Sequence, residues 1–155
     1  HEKLIAKICD FGVSRRCDEA KGMTTFTGTA NYVAPEILAS GNCTNGYTLK
    51  VDMWSIGVLM YTMLCGKFPF NHRNRGKLWQ LIEKGQFKFH VASEPYLWKT
   101  ISKDAKDMIK KLLKVNPDER LTANDSLKHS WLLQQMESDQ GSSSAVDHKR
   151  QKIER

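Results

Sequence analysis

Between Asp52 and Cys65, ten of fourteen residues are apolar, and they fall on every face of a helix. Such a stretch predicts a buried central helix. Asp52 at its start suits the positive end of the helix dipole, and Gly66-Lys67-Phe68-Pro69-Phe70 ends it. A shorter helix is expected around Leu78, Leu81 and Ile82, closing near Gly85. The clearest periodicity comes next. Ala105, Met108, Ile109, Leu112 and Leu113 recur at 3-1-3-1 spacing behind Ser102, a suitable N-cap. Lys110, Lys111 and Lys114 crowd the C-terminal end, as the dipole favours, and Asn116-Pro117-Asp118 stops the helix. Thr122 is expected to cap a last helix carrying Leu127, Trp131 and Leu132.

Upstream of these helices, residues 4–9 read as a short strand. Residues 13–33, with Gly22, Gly28 and several hydroxyl side chains, read as a long structured loop. Long irregular segments inside a compact domain are usually functional. After Gln135 the pattern lapses: Gly141-Ser142-Ser143-Ser144 is linker-like, and 145–155 is charged without periodicity. The chain therefore divides into a domain over 1–135 and a disordered charged tail over 136–155. The fold class is mainly α: one strand, one long loop and a stack of helices around a central one.

Composition narrows the function classes. The chain has 155 residues, 40% apolar and 26% charged, which suits a folded domain rather than overall disorder. Lys and Arg number 24 against 17 Asp and Glu, a net charge of +7. Residues 137–155 hold four acids and four bases, so the excess lies in 1–136. That balance suits anionic partners, or simply solvated lysines on helix faces. The apolar run Val51–Cys65 is too short to span a bilayer and contains Asp52. His1-Glu2-Lys3 opens neither a signal nor a transit peptide, and the missing initial Met suggests a fragment. Cys9, Cys17, Cys43 and Cys65 form no CxxC, so a structural metal site is not expected. A reducing, intracellular location (cytoplasm, nucleus or both) is the expectation.

Asp10-Phe11-Gly12 follows the predicted strand directly. An acid at a strand end, before a glycine that lets the chain turn, is a plausible Mg²⁺ ligand position. Ala34-Pro35-Glu36 alone is only a helix start with Pro at N1. Their order carries more weight. Twenty-one residues separate the two motifs, and they hold Thr24, Thr25, Thr27 and Thr29. In protein kinases the activation-loop phosphosite lies between two such motifs.

On these residues the chain resembles a eukaryotic serine/threonine protein kinase, specifically its helical lower, C-terminal lobe from the magnesium loop onward. Gly28-Thr29 with Tyr32-Val33-Ala34-Pro35-Glu36 resembles the substrate-docking loop. Asp52 to Val58 resembles the central helix, Gly66 to Phe70 the loop after it, and His129-Ser130-Trp131-Leu132 the closing helix. The resemblance covers about 4–133 and is strongest to the calcium/calmodulin-dependent kinase group, including its checkpoint-type relatives.

The resemblance implies roles residue by residue. Asp10 would bind the Mg²⁺ that bridges the phosphates of ATP, with Phe11 packed beneath it, Gly12 turning the chain and Cys9 beside the nucleotide. Read on its own, Cys9 is a small core residue rather than a reactive thiol. Thr25 would carry the activating phosphate, with Thr24 as the second candidate and Arg15 as a basic partner. Gly28, Thr29 and Tyr32 would dock substrate. Asp52 would hold the catalytic loop by its backbone. Buried Glu36 and Arg120 would pair, and losing either would leave an unpaired charge. Trp54, Trp131 and the methionines of the central helix are expected in the core.

Much of a complete kinase is not found in these residues. No two of the ten glycines are spaced G-x-G, and only nine residues precede Asp10, where a catalytic loop belongs. His72-Arg73-Asn74 imitates the start of that loop but lies after the central helix. No catalytic base is therefore assigned. Tyr61 is followed by Thr62, where arginine-directed relatives often carry an acid.

The resulting expectation is part of a kinase that moves the γ-phosphate of ATP to protein Ser/Thr, switched by activation-loop phosphorylation and inactive as this chain alone. Its implied cofactors are ATP and Mg²⁺. Its implied partners are a protein substrate and an upstream or self-activating kinase, with no membrane. One competing reading is a truncated, non-catalytic docking or decoy protein. Another is a basic nucleic-acid-binding module, which no DNA or RNA motif favours. Calmodulin is left open, but a target helix needs apolar anchors that the tail lacks. Lys149-Arg150-Gln151-Lys152 is weak ground for a nuclear signal.

Overall fold

In the computed structural model, the residues described are 5, 7–12, 14, 30–39, 49–90 and 96–134. Among them, six α-helices follow in order: α1 (Pro35–Ala39), α2 (Lys50–Cys65), α3 (Arg75–Glu83), α4 (Leu97–Thr100), α5 (Lys103–Leu112) and α6 (Ala123–Leu127). Short 3-10 turns span Ala30–Tyr32 and Pro117–Glu119, and a further helical stretch covers 130–134. None of the described residues forms a strand.

Helix α2 is the axis of the core. It buries Met53, Trp54, Val58, Met60, Tyr61 and Cys65. Helix α5 packs on it at Gly57, while α1 packs on α3. A Cβ at Gly57 would lie 2.8 Å from Leu112 Cβ and 2.9 Å from Leu113 Cδ2, so only glycine permits this approach. One face of α2 departs from expectation. Ile56, Leu59 and Met63 are exposed, Met63 at 77%. They follow a spacing of three and four, which aligns them in one stripe. The apolar residues do surround the helix, but the described elements cover only part of its circumference.

Along α2, from Trp54 to Tyr61, the core is aromatic. Trp54 stacks on Phe70 with centroids 5.5 Å apart, and Phe70 meets Phe87 edge-on at 5.7 Å. Tyr61 and Phe89 each lie 4.8 Å from Trp98. Each such pair adds about 0.5–1.5 kcal/mol beyond its buried area. Trp98 arrives on α4, which is too short for periodicity to reveal.

Local chemistry sets the helix ends. Ser102 Oγ accepts from the Ala105 N–H at 3.1 Å, as expected of an N-cap. Asn74 does the same for α3, accepting from Lys77 N–H at 3.0 Å. Gly66, at φ +67°, closes α2 and donates its N–H to Thr62 O at 2.7 Å. Thr122 and Asp125 form a reciprocal capping box at α6. The last helix is not continuous, however. Lys128 and His129 donate three residues back, to Asp125 and Ser126, which tightens and ends α6 before 130–134 resumes. Leu127 is left exposed, whereas Trp131 and Leu132 pack against the core.

The strand expected over 4–9 does not form among the described residues. Ile5 and residues 7–11 carry no regular structure and are exposed. A strand needs a partner for its backbone groups, and the described residues offer none. The proposed tail over 136–155 lies outside the described residues.

Candidate functional site

The segment around Asp10 is held by its own turn. Asp10 is the one non-glycine described residue with positive φ, at +64°. Aspartate tolerates this left-handed conformation better than most residues. Its Oδ1 accepts the Gly12 N–H at 3.4 Å, and Ser14 N–H closes the turn onto Phe11 O at 3.0 Å. An unusual backbone conformation on a polar residue is a pointer to function. Two expectations fail here. Phe11 does not pack beneath Asp10 but stands 67% exposed. Cys9 is an exposed free thiol rather than a core residue. No described element covers this segment, so its apolar side chains lack a surface to bury against.

The second part of the site is firmly anchored. The Ala30–Tyr32 turn is tied to the core at three points. Asn31 Nδ2 donates to Phe70 O at 3.0 Å, and Ser55 Oγ donates to Tyr32 O at 2.9 Å. The Tyr32 ring meets Phe68 edge-on at 5.5 Å. Pro35 then starts α1, which presents Glu36 inward.

Glu36 and Arg120, 84 residues apart, meet as a two-pronged ion pair. Arg120 Nη1 and Nη2 donate to the two carboxylate oxygens at 2.7 and 2.9 Å. The Arg120 side chain is 0% exposed and that of Glu36 24%. The remaining guanidinium hydrogens go to Lys114 O, Lys50 O and Val115 O at 3.0, 2.6 and 3.3 Å. All five donors of the fork are thus satisfied. The guanidinium also lies 5.2 Å from the Trp54 ring centroid. Lys50 Nζ returns a bond to Arg120 O. One side chain therefore joins α1, the start of α2 and the loop after α5.

A further pair has no signal in the sequence. His129, buried, places Nε2 3.1 Å from Asp107 Oδ2, while its Nδ1 accepts the Trp131 N–H at 3.3 Å. With Nδ1 accepting, Nε2 carries the proton that points at the carboxylate. Lys111 and then His129 hold the Asp107 carboxyl below its usual range by hydrogen bonding. Burial pushes the Tyr61 hydroxyl up to about 12, helped by the neighbouring Cys65. It therefore remains a donor at neutral pH, and it bonds Lys88 O at 2.8 Å.

The remaining predicted residues are plainly placed. Asp52 is exposed in the first turn of α2, and His72, Arg73 and Asn74 are exposed before α3. Arg15, Thr24, Thr25, Gly28 and Thr29 lie outside the described residues. Among the described residues, no cluster of three His, Cys, Asp or Glu could cage a metal ion. No helix among them is long and apolar enough to cross a membrane.

The chain folds as a helical lobe centred on α2, with an Asp-Phe-Gly turn ahead of it in the sequence and a buried Glu–Arg tie. The sequence model of the protein kinase domain matches residues 1–132. This chain belongs to the protein kinase family. Its curated relatives agree. It is 42% identical over 125 residues to a probable serine/threonine-protein kinase, fhkE, of Dictyostelium discoideum, covering 81% of this chain and 17% of the relative. It is 44% identical over 127 residues to the serine/threonine-protein kinase H1 homolog of Pinctada fucata, covering 81% and 29% respectively. It is 41% identical over 133 residues to the calcium/calmodulin-dependent protein kinase cmkA of Emericella nidulans, covering 85% and 30%. The last match agrees with the resemblance to the calcium/calmodulin-dependent group. The chain spans less than a third of the length of each of these kinases.

Proposed function

We propose that this chain is the lower-lobe part of a serine/threonine protein kinase that moves the γ-phosphate of ATP to hydroxyls of protein substrates. The observation that carries the reading is the Ala30–Glu36 segment, fixed to α2 and, through Glu36, to Arg120. A substrate-docking loop needs such a rigid base, because misplacement by an ångström lowers a rate severely.

Asp10 is the residue to hold Mg²⁺. The donor set fits: one exposed carboxylate with Oδ1 engaged by Gly12 N–H and Oδ2 free to face a hard cation. Mg²⁺ commonly takes one or two protein carboxylates and fills its other positions with water and phosphate oxygens. When bound, Mg²⁺-ATP supplies the transferable phosphoryl group and offsets its charge. The chain's own contributions are to position that carboxylate, to seat the substrate backbone beside Tyr32, and to carry the switch at Thr25 or Thr24. Phosphate on Thr25 would add close to two negative charges, for which Arg15 is the basic partner that the kinase resemblance implies. The protein acts inside the cell, in cytoplasm, nucleus or both.

The chain alone transfers no phosphate, because no catalytic loop precedes Asp10 within these residues and no G-x-G loop is present. By itself it is a docking module, a second reading supported by the well-packed Tyr32 segment. The test is a transfer assay with Mg²⁺-ATP and a serine-containing peptide library. The purified 155-residue chain should give no signal above the blank. The longest native product carrying it should phosphorylate serine or threonine, and should lose most of that activity with Thr25→Ala. A silent native product would leave the docking module as the function.

A further inference from the structure

A groove of about 880 Å³ opens between the end of α2, the loop over 67–71, the end of α3 and the extended segment over 86–90. That is the size of a ligand-binding cleft. Its walls are apolar: Tyr61, Phe68, Pro69, Leu81 and Phe87. Tyr61 braces it from beneath, since its hydroxyl donates to Lys88 O and fixes the 86–90 segment against α2. The polar lining has one sign. Lys67, Lys88 and His90 are exposed around it, and the two other polar residues are the neutral amides Asn71 and Gln86. Among the described residues no carboxylate lines the groove. Elsewhere on the surface, lysines meet acids, as Lys111 meets Asp107 and Lys114 meets Glu119.

We propose that this groove docks an acidic peptide segment of a partner protein, with one large apolar side chain seated between Phe68, Pro69, Leu81 and Phe87. Two features choose this occupant. An apolar trough of this size takes a Phe- or Leu-sized anchor. A rim of two lysines and a histidine without an acid among them attracts carboxylates and repels basic chains. Asn71 and Gln86 supply amide groups that pair with peptide backbone. The groove also adjoins the docking segment, because its wall residue Phe68 packs on Tyr32 at 5.5 Å. Use of the groove by kinase substrates rests on the function proposed above, whereas the binding does not.

Binding is measured by fluorescence anisotropy of the 155-residue chain with a labelled twelve-residue peptide holding one phenylalanine among glutamates. Saturable binding is expected, weakened about tenfold by Lys67→Glu with Lys88→Glu, and similarly by raising NaCl from 0.05 to 0.5 M. Lys67→Ala alone, a trimming of an exposed side chain, should weaken it about two- to threefold. The same peptide with Phe replaced by Ala, or with lysines for glutamates, should bind at least tenfold more weakly. Circular dichroism on each variant checks that helicity is retained. The proposal is overturned if the acidic peptide does not bind, if the lysine peptide binds as tightly, or if folded charge variants bind like the parent. Phosphate transfer plays no part in this measurement, and the 155-residue chain is expected to be inactive alone. Failure to bind would therefore sink the groove proposal and leave the kinase reading, which rests on transfer by the native product, untouched.

Discussion

Replacing Glu36 with Gln removes one charge and one of two acceptors from the Arg120 fork, while keeping shape. The two bonds lost or weakened are 2.7 and 2.9 Å long, and the guanidinium they serve has no exposed surface. Breaking a buried ion pair from one side costs about 3–5 kcal/mol, because the remaining charge stays desolvated. Glu36 is a quarter exposed and three carbonyls still hold the guanidinium. The cost of Glu36→Gln should therefore fall to about 2–3 kcal/mol, near that of a hydrogen bond to a charged group. Against a total stability of about 5–15 kcal/mol, this lowers Tm by on the order of 10 °C. Urea unfolding followed by tryptophan fluorescence is the assay, since Trp54 lies 5.2 Å from the guanidinium. The measurement is repeated in 1 M NaCl. A surface pair would be screened away there, but most of this cost should persist. A cost below about 0.5 kcal/mol, or one that vanishes in salt, would refute the claim that this pair ties the lobe together.

Other substitutions test the packing. Gly57→Ala should destabilise by about 1–3 kcal/mol in the same assay, because its methyl would overlap Leu112 and Leu113. An open helix would show the opposite sign, a gain of up to about 1 kcal/mol. Thr122→Ala should cost about 1 kcal/mol by removing the capping box of α6, read as a shift in the urea midpoint. Acid should weaken the fold through Asp107 and Asp125, whose carboxyls sit below their usual 3.8. Folded values below unfolded ones give stability that is full above pH 3.8 and fades as pH falls through the lower folded values. Asp107→Asn should flatten part of that acid limb in a pH series of thermal melts.

The elements that the sequence made legible are those with strong local signals. The 3-1-3-1 spacing and Ser102 mark α5, and Gly66 marks the end of α2, because both act within one or two turns of chain. The family motifs located Asp10 and the Glu36–Arg120 pair. The carbonyls of Lys50, Lys114 and Val115 around that arginine have no motif, since only the fold brings them together. The His129–Asp107 contact, the packing of Trp98 from α4 against Tyr61 and the break at 128–129 are likewise products of packing. Periodicity misled in one place. Uniform apolarity in α2 predicted burial on all sides, yet the Ile56, Leu59 and Met63 stripe is exposed. A sequence states what a helix can bury, whereas burial also requires a neighbour to cover it.

The most direct test is the activity of the longest native product, isolated from its source cells with an antibody to residues 103–134, beside its Asp10→Asn counterpart. Transfer of phosphate to serine or threonine that requires Mg²⁺ and drops by at least a hundredfold in Asp10→Asn is the predicted result, given what electrostatic stabilisation of a transition state contributes. No transfer by the native product, or transfer untouched by Asp10→Asn, would contradict it.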